Sequence, residues 1–308
     1  MMERVDNALV LFPGALGDFV CFLPALLALR ARHTGPLRVV AQPALLQLLQ
    51  IHDVSTASID RREVADLFAA DCPLRDETAA LFGGFGSVYS WTGSELPHVD
   101  ARLARLNPGA VQVYRFRGMQ PGEHAADYYA RCIGARGDVS VASAVKTDEH
   151  WLSPFLRRHG CQDGRVLVVH AGSGSLRKNW QGFAKLCAAS YERHETTVWL
   201  RGPAESERGA DGEMNGVGAQ GLTLPQVAGL LRHSGGYVGN DSGVSHLAAA
   251  LGTPALVLFG SSDPTVWAPR GPNVRILHAP ENCRRCGPDV FCTHRLPIET
   301  VAAALAEL

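Results

Sequence analysis

The sequence lacks any apolar run that approaches the ~18 consecutive residues of a membrane-spanning helix. The start of the chain is polar, with Glu3, Arg4, Asp6 and Asn7 before the first apolar stretch, and so does not resemble a signal peptide. An excess of one charge is also missing, because 29 Lys and Arg residues face 30 Asp and Glu residues. A net charge of −1 provides no global positive field for nucleic acid or anionic lipid. We therefore expect a cytoplasmic protein that binds no nucleic acid.

Two familiar nucleotide-binding patterns are absent as well. Gly14 and Gly17 form a Gly-x-x-Gly sequence, which is not the G-x-G-x-x-G spacing of dinucleotide folds. The loop from Gly172 to Asn179 lacks the Gly-Lys-Ser/Thr core of a P-loop. The absence of the G-x-G-x-x-G spacing argues against a nicotinamide-dependent oxidoreductase.

Cysteine is too sparse for a disulfide scaffold, with eight residues in 308. Cys283, Cys286, Cys292 and His294 nevertheless form a cluster with metal-ligand residue types and a Cys-x-x-Cys knuckle. Four such ligands would close a tetrahedral zinc site, although the second pair lacks the usual ligand spacing. A structural zinc site and unligated thiols in a tail loop both stay open as interpretations.

The apolar residues, 46% of the chain, are arranged in alternating strand-like and helix-like runs. This βα repeat is typical of parallel sheets covered by helices, and it predicts an α/β fold. The expected strands are 8–12, 37–41, 54–59, 87–91, 111–114, 166–170, 196–200, 236–239 and 254–259.

The repeat is interrupted near the middle of the chain. A helical stretch around Trp151 to Leu156 is followed by the polar residues 162–165, and a new βα series then begins. We place a domain boundary near residue 155, which gives two doubly wound, Rossmann-like halves, 1–155 and 156–308. Ligands of such sheets bind beyond the carboxyl ends of the strands, so we expect a cleft between the halves to hold the site.

The most informative motif is Val238-Gly-Asn-Asp-Ser-Gly-Val-Ser-His246, which follows an apolar run and opens a helix expected over 247–251. A strand, a Gly/Ser-rich turn and a helix N-terminus together make an anion site, for which a diphosphate is the expected occupant. The candidate binding residues here are Asn240, Asp241, Ser242, Gly243 and His246. The alternatives are a simple helix cap and a buried core histidine.

Asp18 is the candidate catalytic residue of the first half. It follows Gly14 and Gly17, which allow a ligand to approach the backbone, and it stands at the start of the first helix. The alternative interpretation is that Asp18 only caps that helix.

Two further loops end strands of the second half. Gly172, Ser173 and Gly174 precede Lys178, which has the reach and charge to contact a phosphate. Glu205 follows the next strand and could accept hydrogen bonds from ribose hydroxyls. A solvated lysine in a flexible loop and a glutamate in a first helical turn are the alternatives.

Taken together, these loops resemble the ADP-heptose–lipopolysaccharide heptosyltransferases, glycosyltransferase family 9. Four blocks match in order: Gly14-Ala-Leu-Gly-Asp18 with Pro24, Gly172-Ser-Gly-Ser with Lys178-Asn-Trp180, Gly202-Pro-Ala-Glu205, and the long block from Leu224 to Trp267.

The resemblance implies a GT-B fold, with the acceptor on the first Rossmann-like domain and the nucleotide sugar on the second. It implies an inverting transfer of heptose, or a related sugar, from ADP-heptose to a lipopolysaccharide-core or other envelope glycan, with no cofactor required. Asp18 would be the general base, Lys178 would contact phosphate, Glu205 would hold the ribose, and 241–246 would bind diphosphate and sugar. A peripheral contact with the inner face of the cytoplasmic membrane is expected from such an acceptor.

The resemblance is weakest between Asp60 and Gly86, where no acceptor-binding pattern and no basic amphipathic helix is evident. Two alternatives therefore stay open beside the transferase: a sugar-nucleotide epimerase of the same fold, which would convert the donor alone, and a non-catalytic nucleotide-binding protein.

Overall fold

A computed structural model describes residues 6–71, 73–161, 165–189, 196–202, 216–279 and 292–308. The chain forms two compact units, Met1–Val139 and Ser140–Leu308. The division lies before the expected position near residue 155, which falls inside the helix Leu152–Arg158. Contacts within the second unit explain the difference, because the backbone N–H of Asp148 donates to the carbonyl of Pro225 over 2.8 Å.

The first unit is built on a five-stranded, entirely parallel sheet in the order β3-β2-β1-β4-β5. Its strands are β1 (Ala8–Leu11), β2 (Leu37–Ala41), β3 (Val54–Ser58), β4 (Ser87–Ser90) and β5 (Ala110–Val113). Its helices are α1 (Leu16–Arg32), α2 (Pro43–Leu46), α3 (Arg62–Phe68), α4 (Asp76–Phe82), α5 (Pro97–Leu106) and α6 (Ala125–Cys132).

An aromatic cluster fixes α1 and α6 at the carboxyl end of β1. The ring of Phe12 stacks on Phe22 with centroids 4.2 Å apart and meets Tyr129 edge-on at 5.3 Å. Trp91, which follows β4, packs edge-on against Phe22 at 4.7 Å. All four rings are fully buried, so the segments that follow β1 and β4 are anchored to the core.

The second unit contains a six-stranded parallel sheet in the order β11-β10-β9-β6-β7-β8. Its strands are β6 (Val166–His170), β7 (Thr196–Arg201), β8 (Val217–Gln220), β9 (Gly236–Asn240), β10 (Ala255–Phe259) and β11 (Val274–His278). Its helices are α7 (Leu152–Arg158), α8 (Phe183–Ala189), α9 (Leu224–Arg232), α10 (Gly243–Ala250), α11 (Pro264–Trp267) and α12 (Ile298–Ala306).

The prediction of two doubly wound α/β halves is confirmed. The nine expected strands are present, and the sequence pattern missed two edge strands, β8 and β11, whose residues are mostly half-buried or exposed. Helix α10 begins at Gly243, four positions before its expected start, so the Ser-Gly motif forms its first turn.

The strand order reverses direction once in each sheet. In the first unit the reversal lies between β1 and β4, and in the second it lies between β6 and β9. Loops on either side of such a switch point separate at the carboxyl ends of the strands and leave a crevice for a ligand. Each unit therefore has one topologically favoured binding position.

Candidate functional site

The switch point of the second unit brings two of the predicted loops together. Lys178 lies in the loop after β6, and Asp241 directly follows β9. The ammonium Nζ of Lys178 is 2.5 Å from the carboxylate Oδ2 of Asp241. The Asp241 side chain is 7% exposed and that of Lys178 31%, so the pair lies at the edge of the core. The two side chains therefore form one ion pair at this switch point.

Ser262, which follows β10, donates a hydrogen bond to the same Oδ2 atom of Asp241. Among the described residues no donor is found for the other carboxylate oxygen, Oδ1. The described hydrogen bonds thus hold the carboxylate through one oxygen, Oδ2.

The loop that carries Lys178 is anchored by its neighbours. Trp180 is buried, and its ring N–H donates to the carbonyl of Leu296 over 3.0 Å. Asn240 joins this loop to β9, since its side chain donates to the Ala171 carbonyl over 2.7 Å and accepts from the Trp180 N–H over 3.0 Å. Asn240 is fully buried, so the structure gives it a scaffold role.

Helix α10 begins beside the ion pair. Its N-cap residue is Ser242, whose side chain makes no capping hydrogen bond to the helix. The first N–H groups of a helix have no intrahelical acceptor, and they carry the positive end of the helix dipole. The Ser242 hydroxyl instead lies 3.3 Å from Nδ1 of His170 and 3.2 Å from the hydroxyl of Ser245. Ser242 therefore occupies the N-cap position, but its side chain does not make the hydrogen bond that a capping serine usually makes.

A buried network of hydroxyl hydrogen bonds supports the turn at the start of helix α10. The Ser245 hydroxyl donates to the Asn240 carbonyl over 2.5 Å and so accepts from Tyr237 Oη, 2.9 Å away. Burial raises the pKa of Tyr237 well above its ordinary value, so it stays a donor. His246, in the same helical turn, is buried, at 4% exposure.

The glycines and serine of the two loops differ in what surrounds them. Gly172 is buried and Gly243 half-buried. The Ser173 hydroxyl lies within its own loop, 2.6 Å from both the Ser175 carbonyl oxygen and Asn179 Oδ1, and donates its single hydrogen to one of them. Gly174 is exposed, and a Cβ atom built there would meet nothing within 4 Å. The loop is therefore open to solvent at Gly174.

Asp18 lies at the switch point of the first unit, in the first turn of α1. The N-cap of this helix is Ala15, so Asp18 does not cap it. The carboxylate is almost fully buried and lies between Arg117 and Tyr129: Arg117 Nη2 is 3.1 Å from Oδ2 and 3.3 Å from Oδ1, and Tyr129 Oη is 3.4 Å from Oδ1. Burial and the charge of Asp18 raise the pKa of Tyr129 well above its ordinary value, which keeps its hydroxyl a donor.

The two glycines before Asp18 also differ. A Cβ atom on Gly14 would lie 2.4 Å from the Phe12 ring and 2.7 Å from the Asp18 Cβ, so only glycine fits there without movement. Gly17 is half-buried in the first turn of α1.

A pocket of about 620 Å³ opens within the first unit, and Arg117, the partner of Asp18, lines it. Phe68, the last residue of α3, forms part of its wall. The segments after β4 and β5 supply the rest, including Trp91, Glu95, Leu96, Arg115, Phe116 and Arg117. Arg117 thus belongs both to the pocket wall and to the ion pair with Asp18.

Arg117, Tyr129 and Ser262 were not predicted from the sequence. Arg117 and Tyr129 stand 99 and 111 positions from Asp18, and no spacing rule connects them. Ser262 lies inside a block that matched the family resemblance, so that block was the one available signal for it.

Three predicted site residues, Glu205, Cys283 and Cys286, lie outside the described residues. Cys292 is buried and His294 is exposed in the turn that follows. Within the described part of the chain, no group of three or more His, Cys, Asp or Glu side chains is arranged to hold a metal ion. No helix in the same part is long and apolar enough to cross a membrane.

The family model "Glycosyltransferase family 9 (heptosyltransferase)" matches residues 127–290, more than half of the chain. The chain is also 30% identical over 126 residues to "Lipopolysaccharide heptosyltransferase 3" of Escherichia coli strain K12. That alignment covers 37% of this chain and 36% of the relative, so the matched segment spans about a third of the relative's length.

Solved structures resemble the chain over almost its whole length. A glycosyl transferase family 9 structure from Veillonella parvula DSM 2008 covers 100% of this chain and 98% of its own, with a TM-score of 0.75 at 20% identity. "E. coli ADP-heptose lps heptosyltransferase II" covers 98% of each chain with a TM-score of 0.70 at 18% identity. "E. coli heptosyltransferase WaaC with ADP" covers 98% and 99% with a TM-score of 0.67 at 21% identity. These likenesses show the GT-B fold of two Rossmann-like domains.

Proposed function

The chain belongs to glycosyltransferase family 9, and from this membership we propose that it transfers heptose, or a related sugar, from ADP-heptose to a lipopolysaccharide-core or other envelope glycan. The observation that carries the proposal is the Lys178–Asp241 pair beside the N-terminus of α10, at the switch point of the second unit. Relatives named as lipopolysaccharide heptosyltransferases, and a solved relative that holds ADP-2-deoxy-2-fluoro heptose, support the choice of donor.

The donor half of the site is suited to a departing diphosphate. As the bond between the sugar and ADP breaks, negative charge grows on the diphosphate oxygens. The Lys178 ammonium and the first N–H groups of α10 are positioned donors for that charge. Asp241 holds the ammonium through Oδ2 and offers Oδ1 to a hydroxyl of the donor sugar. Glu205 is proposed to bind the ribose hydroxyls.

The acceptor half supplies the base. A sugar hydroxyl is a poor nucleophile, so a carboxylate that takes its proton as the new bond forms lowers the barrier. We assign this role to Asp18. Its oxygen receives the proton while the acceptor oxygen attacks the anomeric carbon from the face opposite the diphosphate, which inverts that centre. In the structure, Tyr129 and Arg117 both contact this carboxylate.

The proposed transfer step uses neither a metal ion nor a cofactor. For the cysteine cluster we propose a structural zinc site made by Cys283, Cys286, Cys292 and His294. Zinc bound at one equivalent per chain, and lost on replacement of Cys283 and Cys286 by serine, would support it. A chain that is purified without metal and takes up none would contradict it.

We also propose that the protein acts in the cytoplasm, in peripheral contact with the inner face of the cytoplasmic membrane, because a growing envelope glycan is presented there.

The donor proposal is tested by thermal unfolding with ADP, UDP, GDP and NAD at matched concentrations. A ligand present at about 100 times its dissociation constant stabilises the folded state by about 2.7 kcal/mol. We expect selective stabilisation by ADP, which is lost in Lys178→Ala and retained in Lys185→Ala, an exposed lysine of the same unit. Stabilisation by NAD alone, or by none of the four, would contradict the donor site. Donor consumption without an acceptor would favour the epimerase instead.

A further inference from the structure

Arg117 has two distinct environments in the first unit. Its Nη2 atom lies within 3.3 Å of both oxygens of Asp18, whose side chain is 6% exposed. The Arg117 side chain as a whole is 56% exposed, and Arg117 also lines a pocket of the first unit. One guanidinium therefore connects the proposed base to the space in which an acceptor would lie.

The pocket has the size and chemistry of a site for an acidic sugar. Its volume of about 620 Å³ falls in the range of small-molecule sites, roughly 300–1,000 Å³. The half-buried Phe116 lines it, and Arg115 and Arg117 outnumber the single carboxylate, Glu95. Arg115 is exposed and has no carboxylate within ion-pair distance among the described residues.

The ion pair between Arg117 and Asp18 is poorly suited to stay formed during catalysis. A guanidinium that occupies both carboxylate oxygens competes with the acceptor hydroxyl for the same lone pairs. The Arg117 side of the pair is half-exposed, so water partly screens its attraction to the buried carboxylate. Planar guanidinium groups bind carboxylates and phosphates through paired hydrogen bonds, so a second anion in the pocket would compete effectively for Arg117.

We propose that the pocket binds an anionic group of the sugar acceptor, a carboxylate or a phosphate, and that Arg117 exchanges from Asp18 to that group. Arg115 is the second cation of the anion site. The exchange leaves the Asp18 oxygens available to the acceptor hydroxyl, while Tyr129 still holds the carboxylate. Arg117 is then a positioning residue that couples acceptor recognition to the availability of the base. The acceptor and base parts of this inference rest on the proposed function.

Calorimetric titration of the full chain with glucuronate, glucose 6-phosphate and glucose tests the anion site without any donor or turnover. We expect at least one anionic sugar to bind about tenfold more tightly than glucose, the effect of one charge-assisted hydrogen bond. Glucuronate and glucose 6-phosphate distinguish a carboxylate site from a phosphate site. Arg117→Gln and Arg115→Gln should each weaken that binding about tenfold. Equal binding of all three sugars would overturn the proposal.

The exchange itself is tested by Asp18→Asn. If Asp18 and the anion compete for Arg117, this variant should bind the anionic sugar several-fold more tightly than the unmodified protein. A residue that only supports the fold would weaken binding or leave it unchanged, and either result would overturn the exchange. Tyr129→Phe, which keeps the ion pair, should show no tightening and controls for loosening of the site.

Arg136 and Asp138 provide matched controls, because they form an exposed Arg–Asp pair in the same unit outside the pocket. Arg136→Gln and Asp138→Asn should leave anion binding unchanged. If they change it as much as Arg117→Gln and Asp18→Asn do, the net charge of the unit is the cause and the proposal is wrong. The titration contains no nucleotide, so the expected pattern of anion binding can be observed even if the protein does not bind ADP. Failure of this inference can therefore be distinguished from failure of the donor proposal.

Discussion

Lys178 and Asp241 form an ion pair at the switch point of the second sheet, with 2.5 Å between Nζ and Oδ2. They lie 63 positions apart in the chain, and they meet because β6 and β9 are neighbours in the sheet. The carboxylate fixes a flexible lysine close to the first turn of α10. Because its side chain is already held in this way, Lys178 loses less conformational entropy when a diphosphate binds.

Ser262→Ala tests whether the support of this pair matters for nucleotide binding. Loss of the hydroxyl removes one donor from Asp241 Oδ2 without touching Lys178. We expect ADP affinity to fall about three- to tenfold, as for the loss of one hydrogen bond. Ser261→Ala, at the adjacent exposed position, should have no effect in the same titration. Equal affinities for both variants would show that Ser262 does not position Asp241.

Gly14→Ala tests how tightly the Asp18 turn is packed. The added methyl group would meet the Phe12 ring at 2.4 Å and the Asp18 Cβ at 2.7 Å. We expect the free energy of unfolding in urea to fall by about 1–3 kcal/mol. Gly174→Ala, where the new Cβ meets nothing within 4 Å, should change stability by less than about 0.5 kcal/mol. A fully stable Gly14→Ala variant would contradict the described packing.

Asp6 gives a prediction for pH. Its carboxylate accepts hydrogen bonds from the Thr34 side chain and backbone and pairs with His33, which lowers its pKa from 3.8 to about 2. A lowered pKa contributes stability that is present above pH 3.8 and lost as the pH falls toward 2.

The melting temperature of Asp6→Asn should therefore lie below that of the unmodified protein at pH 5 to 7. The difference between the two melting temperatures, measured by circular dichroism, should narrow as the pH approaches 2. A gap that stays constant from pH 6 to pH 2.5 would contradict the assignment.

The sequence predicted the strands of both sheets well, because buried parallel strands are continuous apolar runs. Val166–His170 and Leu37–Ala41 have the expected bounds. The edge strands β8 and β11 were missed because they are only partly buried and have no such run. The N-terminus of α10 was placed too late, since Gly243 and Ser245 have low helix propensity and only tertiary contacts show that they are helical.

The candidate site could be predicted only where its residues follow recognisable strands within a few positions. Asp18, Lys178 and Asp241 were found in this way, and the helix-cap interpretation of Asp18 is wrong because Ala15 occupies the cap. The partners Arg117 and Tyr129 come from distant segments, and their placement depends on the strand order and on the packing of α6 against α1. Pairings of this kind arise from topology, which a single sequence does not encode in any local pattern.

The central claim is sugar transfer with Asp18 as the base, and Asp18→Asn tests it most directly. The measurement is ADP release and product mass with ADP-heptose and a lipopolysaccharide-core acceptor, beside Asp138→Asn as a control at an exposed aspartate of the same unit. We predict that Asp18→Asn loses at least about a hundredfold in kcat, the scale of general-base catalysis, while ADP stabilises it normally. Turnover of Asp18→Asn at the rate of the unmodified protein would contradict the account.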